Sequence, residues 1–318
     1  MLTVIICTYN PKKEIFSKVV DSLNKQDLDV NHWGVLLVDN NSSDKSVIDD
    51  YYIKISNHNK KKIVENRQGL AFARLRGFKE SLNSDYLVLV DDDNILSLNY
   101  LSETINIFKN HNGLGAFNGK ILAEYEVLPP LFVRNNESLL AVKDLGDRNV
   151  LSDEVSSIAN NVMFSMIGAG LCLRTKALNG YLIKVEDKPV RLELDRVGKS
   201  LMSSGDNDIG ETIQELGWLT GYFPQIQVTH IIPKERLSLN YMAKLNRGIR
   251  KGVVINSFFH GRIPYPPIHS YTLPLRFIKS YFRYKAWQSP ENYIMWQGAC
   301  GIYEGQTIIK KMKNQIKL

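Results

Sequence analysis

Tyr86-Leu-Val-Leu-Val-Asp-Asp-Asp-Asn94 is the stretch that decides the fold. Its apolar residues run directly into three adjacent aspartates, a pattern typical of a buried strand that ends in a polar loop. Comparable apolar segments occupy residues 2–7 and 34–38, and segments with helical spacing of apolar residues separate them. Strands that alternate with helices in this way predict a parallel sheet covered on both faces, which is an α/β fold.

Polar residues follow each of these predicted strands. They occupy residues 8–10 after the strand at 2–7, residues 39–44 after the strand at 34–38 and residues 91–94 after the strand at 86–90. In parallel sheets, ligands bind beyond the carboxyl ends of the strands. We therefore expect the functional site at this edge of the sheet.

The aspartates at 91–93 carry the strongest chemical signal. Adjacent carboxylates repel one another, so their proximity is costly unless a cation compensates. Mg²⁺ and Mn²⁺ prefer oxygen ligands and bridge to substrate phosphates, which favours a metal site. Aspartates also favour turns, so an exposed turn is the structural alternative.

Four segments, taken in order, resemble the family 2 glycosyltransferases of the bacterial surface-glycan type. These segments are residues 4–10, 38–44, 66–77 and the DxD motif at 91–93. The resemblance covers about residues 2–236 and implies the GT-A fold, with a Rossmann-like, mostly parallel sheet flanked by helices. We expect residues 1–95 to form its nucleotide-binding half, 96–236 its acceptor-binding half, and 237–318 a basic helical C-terminal extension.

The resemblance implies roles for the residues at the strand ends. Asp39 would accept a hydrogen bond from a uracil or thymine base, and Arg67 or Arg74 would neutralise a diphosphate. The expected donor-binding residues are Thr8, Tyr9, Asn10, Asp39, Asn41, Arg67, Arg74, Asp91 and Asp92. Asp93, with Asp91, would hold Mn²⁺ or Mg²⁺. Two structural alternatives stay open, since Asn10 is also a good helix cap and Arg74 also suits a solvated helix face.

The family places its catalytic base in a Glu-Asp pair at the start of a helix. Here the sequence is Ser204-Gly-Asp-Asn-Asp-Ile209, so Asp206 aligns with the base and Gly205 replaces the glutamate. We prefer Asp206 to Asp208 because a helix start stabilises a carboxylate, although Asp206 also suits an N-cap. The missing glutamate leaves open a weak or altered activity.

His230 and a glycine-rich segment complete the expected site. In several GT-A enzymes a C-terminal histidine joins the metal ligands, which implies this role for His230; a structural histidine is the alternative. Gly168, Ala169 and Gly170, together with Asp208, would contact the acceptor, although tight packing explains the glycines equally well.

The basic residues are concentrated at the C-terminal end. From Lys234 onward, fifteen lysines and arginines face three acids, a net charge of +12, whereas the first 233 residues carry −5. This pattern indicates an anionic partner, and we expect peripheral contact with an anionic inner membrane leaflet. A solvated basic face is the alternative. Aromatic and basic residues alternate at 281–285, but the acidic donor site outweighs this sign of nucleic-acid binding.

Composition and motifs limit the cellular location and the type of reaction that the sequence allows. The 44% apolar and 23% charged content excludes a disordered chain, three widely spaced cysteines favour a reducing cytoplasm, and no apolar run is long enough to span a bilayer. The resemblance implies a metal-dependent inverting hexosyltransferase. It would move a sugar from a UDP-sugar to a glycan or lipid-linked saccharide in surface polysaccharide synthesis. The alternatives are a non-catalytic nucleotide-sugar-binding module and a sugar nucleotidyltransferase, whose usual Gly-rich loop is missing.

Overall fold

The computed structural model describes residues 1–153, 165–196, 201–262 and 264–316. Its strands are β1 (Leu2–Thr8), β2 (Trp33–Asp39), β3 (Lys60–Val64), β4 (Tyr86–Asp91), β5 (Asn94–Leu96), β6 (Leu114–Tyr125), β7 (Val150–Leu151), β8 (Cys172–Arg174) and β9 (Leu219–Ile232). Its helices are α1 (Lys13–Asn24), α2 (Ser46–Lys54), α3 (Leu70–Glu80), α4 (Tyr100–Asn110), α5 (Leu131–Arg134), α6 (Thr175–Asp187), α7 (Gly205–Glu215), α8 (Leu239–Phe259), α9 (Leu273–Arg283) and α10 (Pro290–Ile316).

The strands form one mixed sheet. Its order is β3-β2-β1-β4-β8-β6-β9-β5, and β7 pairs with β9. The pairs among β3, β2, β1 and β4 are parallel, whereas β8 is antiparallel to both β4 and β6. The predicted α/β fold is confirmed, but the expectation of a mostly parallel sheet holds only for the first four strands. The long strands β6 and β9 form the antiparallel part together with the short strands β5, β7 and β8.

Burial on both faces explains why β1 and β2 are apolar without alternation. Every residue of these two strands is buried. Burying a valine, leucine or isoleucine side chain contributes roughly 1.5–3 kcal/mol relative to its exposure. Helices on both sides of the sheet supply this cover, as a strand buried on both faces requires.

The predicted helical extension over residues 237–318 ends in the long helix α10, which the sequence did not predict as a separate element. Glycines lower the helical propensity of its sequence, yet they allow close packing on α8. A Cβ at Gly301 would lie 2.1 Å from the backbone oxygen of Arg247, and one at Gly305 would lie 2.7 Å from Cβ of Val254. The helical character of the C-terminal region is confirmed.

The chain divides into two compact units. The first comprises Met1–Glu124, Ala141–Pro189 and Ile209–Ile231, and the second comprises Tyr125–Leu140, Val190–Asp208 and Ile232–Leu318. The sequence predicts a single boundary after residue 236. The second unit begins its last segment at Ile232 and also includes two earlier segments of the chain. Among the described residues, no helix combines the length and apolarity needed to traverse a bilayer.

Candidate functional site

The registry of the parallel strands brings the predicted polar residues together in the first unit. Thr8 at the end of β1 pairs with Asp39 at the end of β2, and Cys7 pairs with Asp91 at the end of β4. The loops that follow these strands therefore leave the sheet side by side. The sequence predicted this edge as the functional site, and the structure gathers the residues there.

Thr8 links the loop after β1 to the acidic triplet. Its side-chain hydroxyl donates a hydrogen bond to Oδ2 of Asp92 at 2.5 Å, and its backbone oxygen accepts one from the Asn40 amide at 2.8 Å. Thr8 is buried, and the neighbouring Tyr9 is 49% exposed. Asp92 is thus fixed by β1, while the Tyr9 ring is free to meet a ligand.

Asn10 connects the first two loops. Its Oδ1 accepts hydrogen bonds from the amide and the hydroxyl of Ser43, and its own amide donates to the Ser42 hydroxyl. Its backbone φ is 49°, a left-handed conformation that asparagine tolerates. The N-cap of α1 is Lys12, so the structure assigns Asn10 to this loop contact and not to capping.

Asp39 and Asn40 shape the second loop. Asp39 is 2% exposed, and its Oδ1 accepts a hydrogen bond from the Ser42 amide at 2.9 Å. Asn40 has a role that the sequence did not predict: its side chain donates to the backbone oxygens of Glu65 and Arg67 and accepts from the Gly69 amide. Residues 65–69 are thereby held at the end of β2. The adjacent Asn41, predicted to bind the donor, is exposed with a φ of 61°.

Arg67 is the exposed cation of this edge. Its side chain is 60% exposed, and its Nε donates to Oε1 of the buried Glu65 at 3.0 Å. Burial acts to raise the pKa of Glu65, but the hydrogen bonds and charge of Arg67 outweigh it, so the pKa is lowered. Glu65 therefore stays ionised and orients a guanidinium that still reaches solvent.

Arg74 is a buried cation in the first turns of α3. It is 4% exposed, and its Nη2 donates to Oδ1 of Asp91 at 3.3 Å. This burial excludes a solvated helix face for Arg74. The pair places one positive and one negative group directly at the end of β4.

Asp93 and His230 come together because of a strand that the sequence analysis missed. The short strand β5 follows the acidic triplet and pairs antiparallel with β9, which sets Asn94 opposite His230. Nε2 of His230 lies 3.4 Å from Oδ2 of Asp93, and the other oxygen of Asp93 accepts a hydrogen bond from Asn94 at 3.0 Å. Both the aspartate and the histidine are buried.

The chemistry of this pair fits a divalent cation. Among the described residues, no three His, Cys, Asp or Glu side chains are grouped to hold an ion. Magnesium sites in enzymes, however, commonly use one or two protein carboxylates and complete the shell with water and substrate phosphates. Asp93 and His230 are the described residues that could supply an oxygen and a nitrogen donor for such an incomplete shell.

The glycine-rich segment at 168–170 is packed tightly. Gly170 has a φ of +65°, and a Cβ there would lie 2.4 Å from the Tyr100 hydroxyl. Tyr100 donates a hydrogen bond to the Gly170 oxygen, and Asn118 bonds to both the amide and the oxygen of Ile167. Packing therefore accounts for Gly170, while acceptor contacts by Gly168, Ala169 and Gly170 stay a prediction.

Asp206 lies in the second unit, within the first turn of α7. The helix begins at Gly205, so Asp206 is a helical residue and not the N-cap. The start of a helix favours a carboxylate through the exposed amides and the helix dipole. Asp195 was missed by the sequence analysis: it is 4% exposed, and its Oδ2 lies 2.9 Å from the position of a Cβ at Gly205. Any side chain at position 205 would meet this carboxylate.

Asp208 is enclosed by basic side chains of the second unit. Its Oδ2 accepts a hydrogen bond from Nε of Arg191 at 3.0 Å, its Oδ1 pairs with Nη2 of the same residue, and Nε2 of His260 lies 2.9 Å from Oδ1. Asp208 is fully buried. The structure thus gives Asp208 a supporting position beneath the start of α7, which differs from the predicted acceptor contact.

Comparison with known proteins adds an independent finding. Residues 3–127 match the model of the family described as Glycosyl transferase family 2. None of the curated proteins matches the chain in sequence. Among solved structures, the chain is similar to TarS of S. aureus, with 13% identity and a TM-score of 0.52.

That alignment covers 96% of this chain but only 54% of the TarS chain, so the chain spans about half of that relative. A shorter TarS structure, of residues 1–349, gives 13% identity and a TM-score of 0.51, covering 99% of this chain and 91% of that one. The same segment in complex with UDP-GlcNAc gives 12% identity and a TM-score of 0.50, covering 98% and 91%. At such identities the likeness shows a shared fold.

The family match and the fold agree with the geometry of the site. The matched residues include Thr8, Asp39, Arg74 and the three aspartates 91–93 at the end of β4. The parallel strands bring Thr8, Asp39 and Asp91 to one edge, and Arg74 on α3 joins them through its hydrogen bond to Asp91. The part of the chain that holds this edge, residues 3–127, thus matches glycosyl transferase family 2.

Proposed function

We propose that the chain transfers a sugar from a UDP-sugar to an acceptor hydroxyl with inversion at the anomeric carbon. The observation that carries this proposal is the strand-end cluster of Asp39, Arg74, Asp91 and Asp93 inside the family-matched residues. The structure of TarS with UDP-GlcNAc supports a uridine nucleotide as the donor. A glycan or lipid-linked saccharide of surface polysaccharide synthesis is our proposal for the acceptor.

The donor is held by groups at the ends of β1, β2 and β4. The buried Asp39 carboxylate accepts a hydrogen bond from the imide of uracil, and Thr8, Tyr9, Asn10 and Asn41 line the same pocket. A guanidinium binds a diphosphate with charge-assisted hydrogen bonds, which are shorter and stronger than neutral ones. Arg74 is fixed by Asp91 for this purpose, while Arg67 is exposed and approaches from solvent.

Asp93 and His230, with Asp91 nearby, are the residues that would hold Mn²⁺ or Mg²⁺. When bound, such a cation stabilises the negative charge that develops on the leaving diphosphate. The arginines contribute to the same stabilisation from the protein side.

Asp206 is the proposed general base. Its carboxylate takes the proton from the acceptor hydroxyl while that oxygen attacks the anomeric carbon and the nucleoside diphosphate leaves. A positioned base of this kind contributes typically about 10²–10⁴ in rate. The start of α7 favours the ionised form that a base requires.

Two variants and a matched control test the proposal. We expect Asp206→Asn to lower transfer and UDP-sugar hydrolysis by at least about 10² while UDP binding is retained. Asp39→Ala should weaken UDP binding in calorimetry, whereas the exposed acid Asp21, changed to Asn, should alter neither property. Unchanged turnover in Asp206→Asn would contradict the assignment of the base.

The second candidate is a binding module without catalysis, which the sequence raises because Gly205 stands at the position of the family glutamate. It predicts saturable UDP-sugar binding with no turnover for any donor, with or without Mn²⁺. A panel of nucleotide sugars examined by thermal shift and by UDP release distinguishes the two. Ligand binding raises the melting temperature in both cases, whereas only an enzyme releases UDP.

A further inference from the structure

The outer face of α9 is apolar and open to solvent. It consists of Leu275, Ile278 and Phe282, which are 58%, 57% and 62% exposed. Their spacing of three and four residues places them on one side of the helix. Tyr271 before the helix and Trp287 after it are 78% and 54% exposed. Isolated exposed apolar residues are ordinary, but a contiguous row of large ones indicates an interaction surface.

The opposite face of α9 is firmly packed, so the exposure is not that of a loose helix. The Phe277 ring lies 6.5 Å from that of Tyr303 on α10, and the Tyr281 ring lies 5.0 Å from that of Trp296. The indole nitrogen of Trp296 donates to the Phe277 oxygen at 3.1 Å. Aromatic contacts thus hold the helix and leave its outer face presented to solvent.

The end of α9 extends this surface. The Ala286 amide donates to the Tyr281 oxygen and the Lys285 amide to the Phe282 oxygen, the two bonds that close a helix in a Schellman motif. Lys285 occupies the left-handed position with a φ of 49°. The chain then turns back, and the Trp287 ring lies 5.6 Å from the Phe282 ring.

Positive charge borders the apolar row. Lys279, Arg283 and Lys285 are exposed, and within the part of the chain that the structure describes they form no ion pair. No acidic residue occurs between Arg236 and Glu291 in the sequence. An apolar row with tryptophan and phenylalanine, flanked by lysine and arginine, is the composition of helices that lie in the interface of an anionic bilayer.

We propose that the outer face of α9, with Trp287, docks the protein on the surface of an anionic phospholipid bilayer. Leu275, Ile278, Phe282 and Trp287 enter the boundary between headgroups and acyl chains, while the basic side chains contact lipid phosphates. This surface lies within the basic region from Lys234 onward, and it adds the apolar side chains that would enter the bilayer. A second copy of the chain fits less well, because a symmetric contact would bring two basic rows together. The proposal is independent of the donor chemistry.

Vesicle flotation of the full chain tests the proposal. We expect the protein to float with vesicles of phosphatidylcholine and phosphatidylglycerol and to remain below with vesicles of phosphatidylcholine alone. Ile278→Ser with Phe282→Ser should reduce binding at least about tenfold. The triple change of Lys279, Arg283 and Lys285 to glutamine should reduce it by about a hundredfold, since each basic residue near the surface contributes about fivefold.

A matched control uses equally exposed isoleucines of the first unit, Ile53→Ser with Ile183→Ser, which are 74% and 67% exposed. This variant should float like the wild type, and UDP release in solution should be the same in all variants. The proposal is overturned if the wild type fails to float, or if the Ile278/Phe282 variant floats like the control. It is also overturned if that variant only abolishes a dimer seen by sedimentation, which would make the face a contact between copies. Loss of UDP release in every sample would refute the proposed function and leave the flotation result standing.

Discussion

The buried pair of Arg191 and Asp208 offers a sharp test of how the second unit is held together. The Arg191 side chain is 3% exposed, and that of Asp208 is fully buried. Their contact is bidentate, since Nε and Nη2 of the guanidinium each meet one carboxylate oxygen. Removing one partner of a buried ion pair leaves a charge without compensation and costs about 3–5 kcal/mol. Asp208→Leu or Arg191→Met alone should therefore destabilise the unit by this amount.

The double variant gives the decisive comparison. When Arg191→Met and Asp208→Leu are combined, no charge remains buried at this place, and apolar replacements of buried ion pairs are often neutral or stabilising. We expect the double variant to lose less free energy of unfolding than either single variant. The coupling energy of the two substitutions should then be several kcal/mol. This exceeds the range of about 0.5–3 kcal/mol that is usual for contacting residues, because both charges are enclosed.

Urea unfolding followed by tryptophan fluorescence measures these differences. Trp287 and Trp296 belong to the second unit, whereas Trp33 and Trp218 belong to the first. Each single variant should lower the midpoint of the second-unit transition by roughly 1–2 M urea. His260→Gln, which keeps a hydrogen-bond donor near Asp208, should cost much less. If the single variants lose less than about 1 kcal/mol, or if their losses simply add in the double variant, the pair does not have the assigned role.

Three further outcomes follow from the first unit. Arg74→Gln should weaken UDP binding about tenfold or more, because a charge-assisted hydrogen bond is lost. Arg76→Gln, on the exposed side of the same helix, should leave UDP binding unchanged. Calorimetry of the two variants measures the difference. Gly170→Ala should unfold at a clearly lower temperature than Gly146→Ala. Both glycines have a positive φ, but a Cβ at position 170 would meet Tyr100, whereas a Cβ at position 146 would meet no atom within 4 Å. Burial lowers the pKa of Lys143 from 10.5 to about 8. Between these two pH values Lys143 is protonated in the unfolded chain but neutral in the folded one. The free energy of unfolding, relative to that of Lys143→Met, should therefore rise as the pH increases from 8 to 10.5. Urea unfolding at several pH values measures this rise.

Much of the donor side of the site could be predicted from the sequence, because it depends on local patterns. The strands β1, β2 and β4 are mainly apolar runs, and the polar continuation of each marks its loop. The parallel arrangement then brings Thr8, Asp39 and Asp91 to one edge, and no side-chain contact has to be known to predict this. Asn40 escaped prediction because its role is to bind backbone groups of residues 65–69, and no spacing in the sequence reveals such a bond.

Other features depend on packing between distant segments. His230 meets Asp93 only because β5 pairs with β9, and a strand of three residues leaves too short a pattern to detect. Helix α10 carries glycines where α8 approaches it, and these lower its helical propensity although they stabilise the tertiary contact. The exposure of the outer face of α9 could not be predicted either, since the spacing of apolar residues is the same for a buried row and an exposed one.

Gly205 shows how a motif can change while a carboxylate stays near the start of the helix. Judged from the sequence, the glycine is a loss, because the family glutamate is absent and half of the acidic pair disappears. In the second unit, however, Oδ2 of Asp195 lies 2.9 Å from where a Cβ at position 205 would be. A glutamate at 205 would force its side chain against this buried carboxylate, and two like charges so close would repel. The glycine is thus the residue that allows Asp195 to lie beside the first turn of α7, where helix amides favour negative charge. Gly205 is therefore explained by the packing of this chain, and its presence alone does not argue for an inactive protein.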